Sequence, residues 1–318
     1  MHGLLAIDKP AGLTSHDVVG RVRRILGERK VGHSGTLDPD ATGVLVVGVG
    51  NATRLLRFVD VLPGGTVDEP ITSKEYTCDI VLGTETSTLD ASGEVTATHD
   101  MSRVVGELAT AAGRTRLDEL IGAHLTGRIM QVPPMVSALK VDGRRLHELA
   151  REGIEVEREA RPVTVHAFTV ERIDGVVIRV KVRCSSGTYI RSLGESLGRL
   201  LGGGAHIRDL RRVAVGSFDE SDAVPLDQVS VDDLRPVVDC VRGLTAVAVD
   251  EETERRARLG QVLPEEKFAS SGDAPWALIS RLGGEFIAVY EPFAGHRVAG
   301  RVVDEKMARP VVVTTPME

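Results

Sequence analysis

The chain opens on a short apolar run, Leu4 to Ile7, that reads as a buried strand. It gives way to a turn-rich loop, Asp8-Lys9-Pro10-Ala11-Gly12-Leu13-Thr14-Ser15. Thr14 and Ser15 are good N-caps, and Val18, Val19, Val22, Ile25 and Leu26 then recur at helical spacing up to Gly27. A helix that starts near Thr14 or Ser15 and is closed by Gly27 follows from that pattern. Val44 to Val49 reads as a strand or buried segment, and the Gly- and Pro-bearing stretch Leu62 to Ser73 as a loop. From Lys74 to Gly83 the period becomes two, with Tyr76, Cys78, Ile80 and Leu82 on one face and Glu75, Thr77, Asp79 and Val81 on the other.

Ser102 to Ile121 predicts one or two amphipathic helices. Pro133 and Pro134 bar regular structure between Gln131 and Lys140, in a long loop of the kind that often serves as a lid. Pro162 to Arg172 and Val176 to Cys184 read as two strands, the second alternating Ile178, Val180, Val182 and Cys184 with Arg179, Lys181 and Arg183. After Ser185-Ser186-Gly187-Thr188, the residues Ile190, Leu193, Leu197, Leu200 and Leu201 line one side of a helix. Arg191 lies in its first turn, where a cation opposes the helix dipole and calls for a specific anionic partner. Beyond Leu226 the pattern predicts a short helix, Val231 to Val241, and then acidic Asp250-Glu251-Glu252. Short segments follow: Trp276 to Leu282, Phe286 to Tyr290, Arg297 to Val303 and Val311 to Thr314. The turn residues between them suggest a small β-barrel.

Composition adds bounds. The 318 residues, 42 % hydrophobic, suffice for one large domain and a small one. Met1-His2-Gly3 leads straight into the first strand, and no window of about 18 apolar residues occurs, so neither a signal peptide nor a membrane span is expected. The three cysteines are far apart and odd in number, which suggests neither a zinc site nor a disulfide framework and points to a reducing cytoplasm. A net charge of −7 argues mildly against a nucleic-acid partner. The charge is uneven, however: 19 acidic against 11 basic residues from Asp219 onward leave a balance of +1 in the rest. That near-neutral body carries clustered arginines (Arg21, Arg23, Arg24; Arg54, Arg57; Arg144, Arg145; Arg208, Arg211, Arg212), which allow a phosphate-binding face.

The stretch Gly32-His33-Ser34-Gly35-Thr36-Leu37-Asp38-Pro39-Asp40-Ala41-Thr42-Gly43-Val44-Leu45 is punctuated like a loop, yet it sets a carboxylate on a stiff turn beside an apolar run. An unperturbed Asp has a pKa of about 3.9, so Asp38 is a ready anion at neutral pH without an activating base.

This string resembles the catalytic motif of the TruB family of tRNA pseudouridine synthases, G-H-x-G-x-L-D-P-x-A-x-G-x-L. Other resemblances follow in order. Lys9-Pro10 through Thr14-Ser15 is similar to the first motif, K-P-x-G-x-T-S, and Asn51-Ala52-Thr53-Arg54 to G-x-A-T-R/K. Lys74-Glu75-Tyr76 is similar to K-x-Y, and Leu82 to Gly93 to L-G-x-x-T-x-T-x-D-x-x-G. Gln131 to Gly143 resembles Q-x-P-P-x-Y-S-A-x-K-x-x-G, with Val136 in place of the usual Tyr and His147 where Tyr is common. Cys184 to Arg191 resembles the third motif, and Gly204 to Arg212 G-A-H-x-x-x-L-R-R.

The resemblance, covering roughly residues 3 to 216, implies an α+β pseudouridine-synthase fold. Its mixed, mainly antiparallel central sheet would be flanked by helices, with a small C-terminal PUA-like β-barrel. It implies a catalytic domain over 1–243, with a lid at about 127–152, and an RNA-binding domain over 244–318. Asp38 would be the nucleophile, Tyr76 would stack on the target uracil, and Arg191 would pair with Asp38. His33 would fill space vacated by flipped bases and Leu210 would line the uracil pocket. Tyr189, Lys9, Pro10, Lys140, Arg144 and Arg211 join the substrate-binding set from the same motifs. The implied reaction isomerises uridine 55 in the T arm of tRNA, by a monomer, without cofactor, metal or guide RNA. The rival readings are a non-catalytic tRNA-binding or folding factor, a hydrolase using Asp38 with His33, and a guide-RNA-dependent relative.

Overall fold

The computed structural model describes all residues except 63, 65–69, 138–139, 142–143, 147–151, 153, 155, 294–296, 299–300, 303–305 and 315–318. The chain forms two compact units, one of Met1–Pro39, Gly43–Ser73 and Ala214–Glu318, the other of Asp40–Thr42 and Lys74–Val213.

In the first unit, β1 (Gly3–Lys9) leads to α1 (Ser15–Leu26), β2 (Val31–His33) and β3 (Thr42–Val49). Antiparallel β1 and β2 both pair with β3. Both faces of β1 and β3 are covered, which is why these strands read as unbroken apolar runs. Leu5, Ile7, Leu45 and Val47 pack under Val18, Val19, Val22 and Leu26 of α1, whereas Leu4, Ala6, Val44 and Val46 join a second cluster. Thr14 caps α1 through a capping box with Asp17, and Gly27 closes it with a left-handed φ of 63°. Ile25, expected on the buried face, is 44 % exposed. It lies between the apolar stripe and the arginines, just outside the arc that α1 presses on the sheet.

The second unit begins with β4 (Lys74–Leu82), the hairpin β5 (Thr84–Thr86) and β6 (Val95–Thr98), and the helices α2 (Ser102–Leu108) and α3 (Ala111–His124). Next come β7 (Gly127–Gln131), a small hairpin of β8 (Lys140–Val141) and β9 (Arg144–Arg145), β10 (Arg161–Asp174) and β11 (Val177–Cys184). The unit closes with α4 (Ile190–Leu200) and β12 (Ala205–Val215). Its sheet runs β12-β4-β11-β10-β7. The predicted alternation in β4 and β11 is present: Cys78, Ile80, Val180, Val182 and Cys184 are all at or below 1 % exposure. On the opposite face, Arg179 reaches Asp79 at 3.1 Å and Lys181 reaches Glu75 at 2.6 Å across the strands.

The chain then returns to the first unit with β13 (Phe218–Asp219) and β14 (Val224–Pro225), the latter parallel to β1. The helix expected over Val231 to Val241 is instead two 3₁₀ turns, Val231–Asp233 and Val237–Val241. Pro236 keeps Arg235 out of helical geometry, and Arg235 instead exchanges backbone hydrogen bonds with Leu4 at 2.9 and 3.0 Å. The terminal segment adds β15 (Thr245–Val249), α5 (Glu251–Arg258), β16 (Leu263–Pro264), β17 (Trp276–Ser280) and β18 (Phe286–Phe293). A short hairpin of β19 (Arg297–Val298) and β20 (Arg301–Val302) precedes β21 (Met307–Val313). A five-stranded sheet, β15-β17-β18-β21-β16, forms a half-barrel compatible with the expected small PUA-like domain. One of its faces builds a cluster of its own around Phe268, Trp276 and Tyr290. The other contributes Ala277, Phe286, Val289 and Val312 to the cluster of Leu4, Phe58 and Val59.

Candidate active site

Asp38 is half-buried in the loop between β2 and β3 and is held from both sides. On its N-terminal side, Ser15 Oγ accepts from the Leu37 N–H at 2.8 Å and donates to the Leu37 carbonyl at 3.2 Å. On its C-terminal side, the Pro39 carbonyl accepts from the Gly12 N–H at 3.0 Å and from Lys9 Nζ at 2.8 Å. Gly35, with φ of 99°, makes the turn into the loop.

Lys9 is fully buried, and its ammonium also donates to the carbonyls of Pro10 (2.9 Å) and Leu13 (2.6 Å). It fastens the first motif to the Asp38 loop. Pro10 beside it is exposed. His33 is half-buried at the end of β2, opposite Val47.

In the second unit, Tyr76 is 8 % exposed on β4, opposite Val182. Arg191 is 3 % exposed in the first turn of α4, and its guanidinium donates to the carbonyls of Thr88 (3.0 Å) and Val136 (2.8 Å). A carboxylate oxygen of Asp90 lies 3.7 Å away. Asp90 is thus an anionic neighbour of the kind that a cation at a helix N-terminus calls for, beyond the Asp38 expected from the motifs. The signal was present as the D of T-x-T-x-D, with its threonines. Thr88 Oγ1 donates to Asp90 Oδ1 at 2.6 Å, Thr86 Oγ1 donates to the Asp90 carbonyl at 2.7 Å, and Leu89 between them takes a left-handed φ of 64°.

Gln131 is a second residue the sequence reading did not weigh. Its side-chain amide donates to the Tyr189 carbonyl at 3.0 Å and accepts from the Tyr189 N–H at 2.7 Å. Ser192 Oγ donates to the Val132 carbonyl at 3.1 Å. The segment 131–136 is thus stapled to the start of α4 in three places. Val136 takes part through its carbonyl, so the absence of a tyrosine ring there leaves this contact intact. Lys74 Nζ donates to Ser186 Oγ at 2.8 Å and ties β4 to the loop before α4.

Tyr189 is half-buried, as are Leu210 and Arg211. Leu210 follows Asp209, whose φ of 53° kinks β12 in a conformation that non-glycine residues seldom adopt. Arg144 is exposed and pairs with Glu152, Lys140 contributes its backbone to β8, and His147 lies outside the described residues. Burial pushes the thiols of Cys78 and Cys184 up to about 12. Both stay neutral at physiological pH and offer no competing nucleophile.

With this geometry in hand, comparison with known proteins is specific. The model of the TruB family pseudouridylate synthase N-terminal domain matches residues 23–190. The model of the tRNA pseudouridylate synthase B C-terminal domain matches residues 191–235. A protein of Arthrobacter sp. (strain FB24) named tRNA pseudouridine synthase B is 41 % identical over 99 % of this chain and 97 % of its own. One of the same name from Corynebacterium aurimucosum is 51 % identical over 71 % of each chain. Among solved structures, a chain of a Cbf5-Nop10-Gar1 complex superposes with a TM-score of 0.65 at 25 % identity, over 98 % of this chain and 84 % of that one.

Proposed function

The chain belongs to the TruB family of pseudouridylate synthases, and from that membership we propose that it isomerises uridine 55 in the T arm of tRNA, with Asp38 as the nucleophile. It is an isomerase of the bacterial tRNA pseudouridine synthase type. In this reaction the N1–C1′ bond breaks, the uracil turns and C5 joins C1′. C5 loses a proton and N1 gains one, so atoms balance without an added reagent.

The observation that carries the reading is the two-sided clamp on the Asp38 backbone by Ser15 and by Lys9 with Gly12. A nucleophile must be held near its productive geometry before the substrate arrives, and such preorganisation is a large share of catalysis. The carboxylate needs no base, and the cationic Arg191 favours its anion. Arg191 is in turn kept rigid by Asp90 and two carbonyls. The target uridine has to leave its stack to reach a carboxylate in a loop, so it is flipped. Tyr76 and Leu210 are assigned to hold the base, and His33 to fill the gap it leaves. Tyr189, Pro10, Lys140, Arg144 and Arg211 are assigned to the RNA surface, and residues 244–318 to a further RNA contact.

The test is tritium release from tRNA transcript labelled with [5-³H]uridine, wild type beside Asp38→Asn, without added metal or guide RNA. Wild type should release tritium from position 55 alone, while Asp38→Asn should bind tRNA and release none. Turnover by the variant would remove Asp38 from the chemistry. Binding without release by the wild type would favour a tRNA-folding role.

A further inference from the structure

The arginine clusters read from the sequence do not share one fate. Arg23 donates to the Val31 carbonyl at 3.0 Å, Arg144 pairs with Glu152, Arg208 sits 3.5 Å from Asp79, and Arg212 is completely buried. Six other cations of the first unit are exposed and, among the described residues, form no ion pair with a carboxylate: Arg21, Arg24, Arg29, Lys30, Arg54 and Arg57. They converge at one end of the unit. Arg21 and Arg24 lie on the last two turns of α1, and Arg29 and Lys30 in the turn that enters β2. Arg54 and Arg57 lie on the 3₁₀ turns that leave β3. The Gly50 N–H donates to the Lys30 carbonyl at 2.7 Å, and Lys30 Nζ lies 3.4 Å from Asn51 Oδ1, so the last two groups adjoin.

Glu28, between Arg24 and Arg29 in the sequence, is already engaged by the N-terminal ammonium at 3.6 Å and by the Lys30 N–H at 2.9 Å, and Asp17, one turn from Arg21, is held by the Thr14 N–H and hydroxyl at 2.9 and 2.6 Å. Exposed Ile25 sits among the arginines. In a chain with a net charge of −7, six exposed cations outside any described ion pair at one place are an electrostatic footprint for a polyanion. One end of α1 needs at most a cation or two for its dipole, and the dipole accounts for neither Arg29 and Lys30 nor Arg54 and Arg57.

Resting on the tRNA reading above, we propose that this surface grips the phosphodiester backbone of the tRNA body, outside the arm that delivers the uridine to Asp38. β3 runs from the Asp38 loop at Gly43 to this patch at Val49, six residue steps of about 3.3 Å, or about 20 Å. That separation is too long for the flipped nucleotide and its immediate neighbours, and it suits a stem further along the molecule. Phosphate contacts position an RNA without reading its sequence, which matches a surface of point charges lacking aromatic platforms.

The test is a full-length chain carrying Arg21→Glu, Arg24→Glu, Lys30→Glu and Arg54→Glu. Its affinity for unmodified full-length tRNA and for an isolated T-arm hairpin is measured from low to moderate salt. Full-length tRNA should bind at least about tenfold more weakly, and the slope of log Kd against log salt should fall by about three to four. The hairpin should bind and turn over as with wild type, which also shows that the variant is folded. Unchanged binding of full-length tRNA would overturn the proposal, as would an equal loss on both RNAs. Failure of the wild type to isomerise either RNA would instead overturn the underlying functional reading.

Discussion

At 3.7 Å from the Arg191 guanidinium, Asp90 sets a carboxylate beside a cation that is 3 % exposed in the first turn of a helix. Asp90→Asn keeps the shape and the hydrogen bonds from Thr88 and Ser92, but takes a negative charge from beside Arg191. A buried cation that loses a neighbouring opposite charge is held less firmly. Single-turnover kinetics should therefore show a loss of about tenfold or more in the chemical step, about 1.4 kcal/mol of barrier, with tRNA affinity near wild type. An unchanged rate would mean that the other contacts of Arg191 hold it in place. Lys9 makes a contrasting case. Lys9→Met would take the shared donor from the carbonyls of Pro10, Leu13 and Pro39, of which Pro39 keeps the Gly12 N–H. Urea unfolding should show a loss of about 1–3 kcal/mol, the range for one polar group left unsatisfied. Motifs made both residues visible in the sequence but not their partners: nothing in K-P-x-G says that the lysine points inward, because that depends on a loop 30 residues further on.

At the scale of elements, helix and strand periods were legible wherever one face met solvent, as in α1, β4 and β11. They failed where a backbone partner came from far away, as at Arg235, which pairs with Leu4 instead of continuing a helix. The fit of α4 on β12 was also illegible. Gly194 and Gly198 read as weak points of a helix, yet a Cβ at Gly194 would meet Ile207 Cγ2 at 2.4 Å, and one at Gly198 would meet the Ala205 backbone nitrogen at 2.6 Å. The glycines let the helix that carries Arg191 lie flush on the strand that carries Leu210. Gly198→Val meets backbone, which cannot swing aside, so it should cost about 1–3 kcal/mol or more in denaturant unfolding. It should also slow turnover by displacing Arg191. A gain in stability from the better helix former would show that the two elements can separate.

For the whole molecule, composition and charge suggested a catalytic body followed by an acidic appendage, and local patterns could not show what that appendage packs against. Ala277, Phe286, Val289 and Val312 bury themselves in the same cluster as Leu4, Ala6, Phe58 and Val59, across more than 200 residues of sequence. The terminal sheet therefore acts as part of the first unit's core, the unit that also fixes the Asp38 loop. Each large apolar side chain uncovered by deleting it costs about 1.5–3 kcal/mol, and a handful of them match the whole stability of about 5–15 kcal/mol of a typical domain. A chain ending at Gly243 should then show no cooperative thermal transition, should bind a hydrophobic dye such as ANS, and should not isomerise uridine even in the isolated T-arm hairpin. A truncated chain that melted cooperatively and modified the hairpin would make the terminal sheet a separable RNA-binding module, and the shared cluster a contact between domains already able to fold alone.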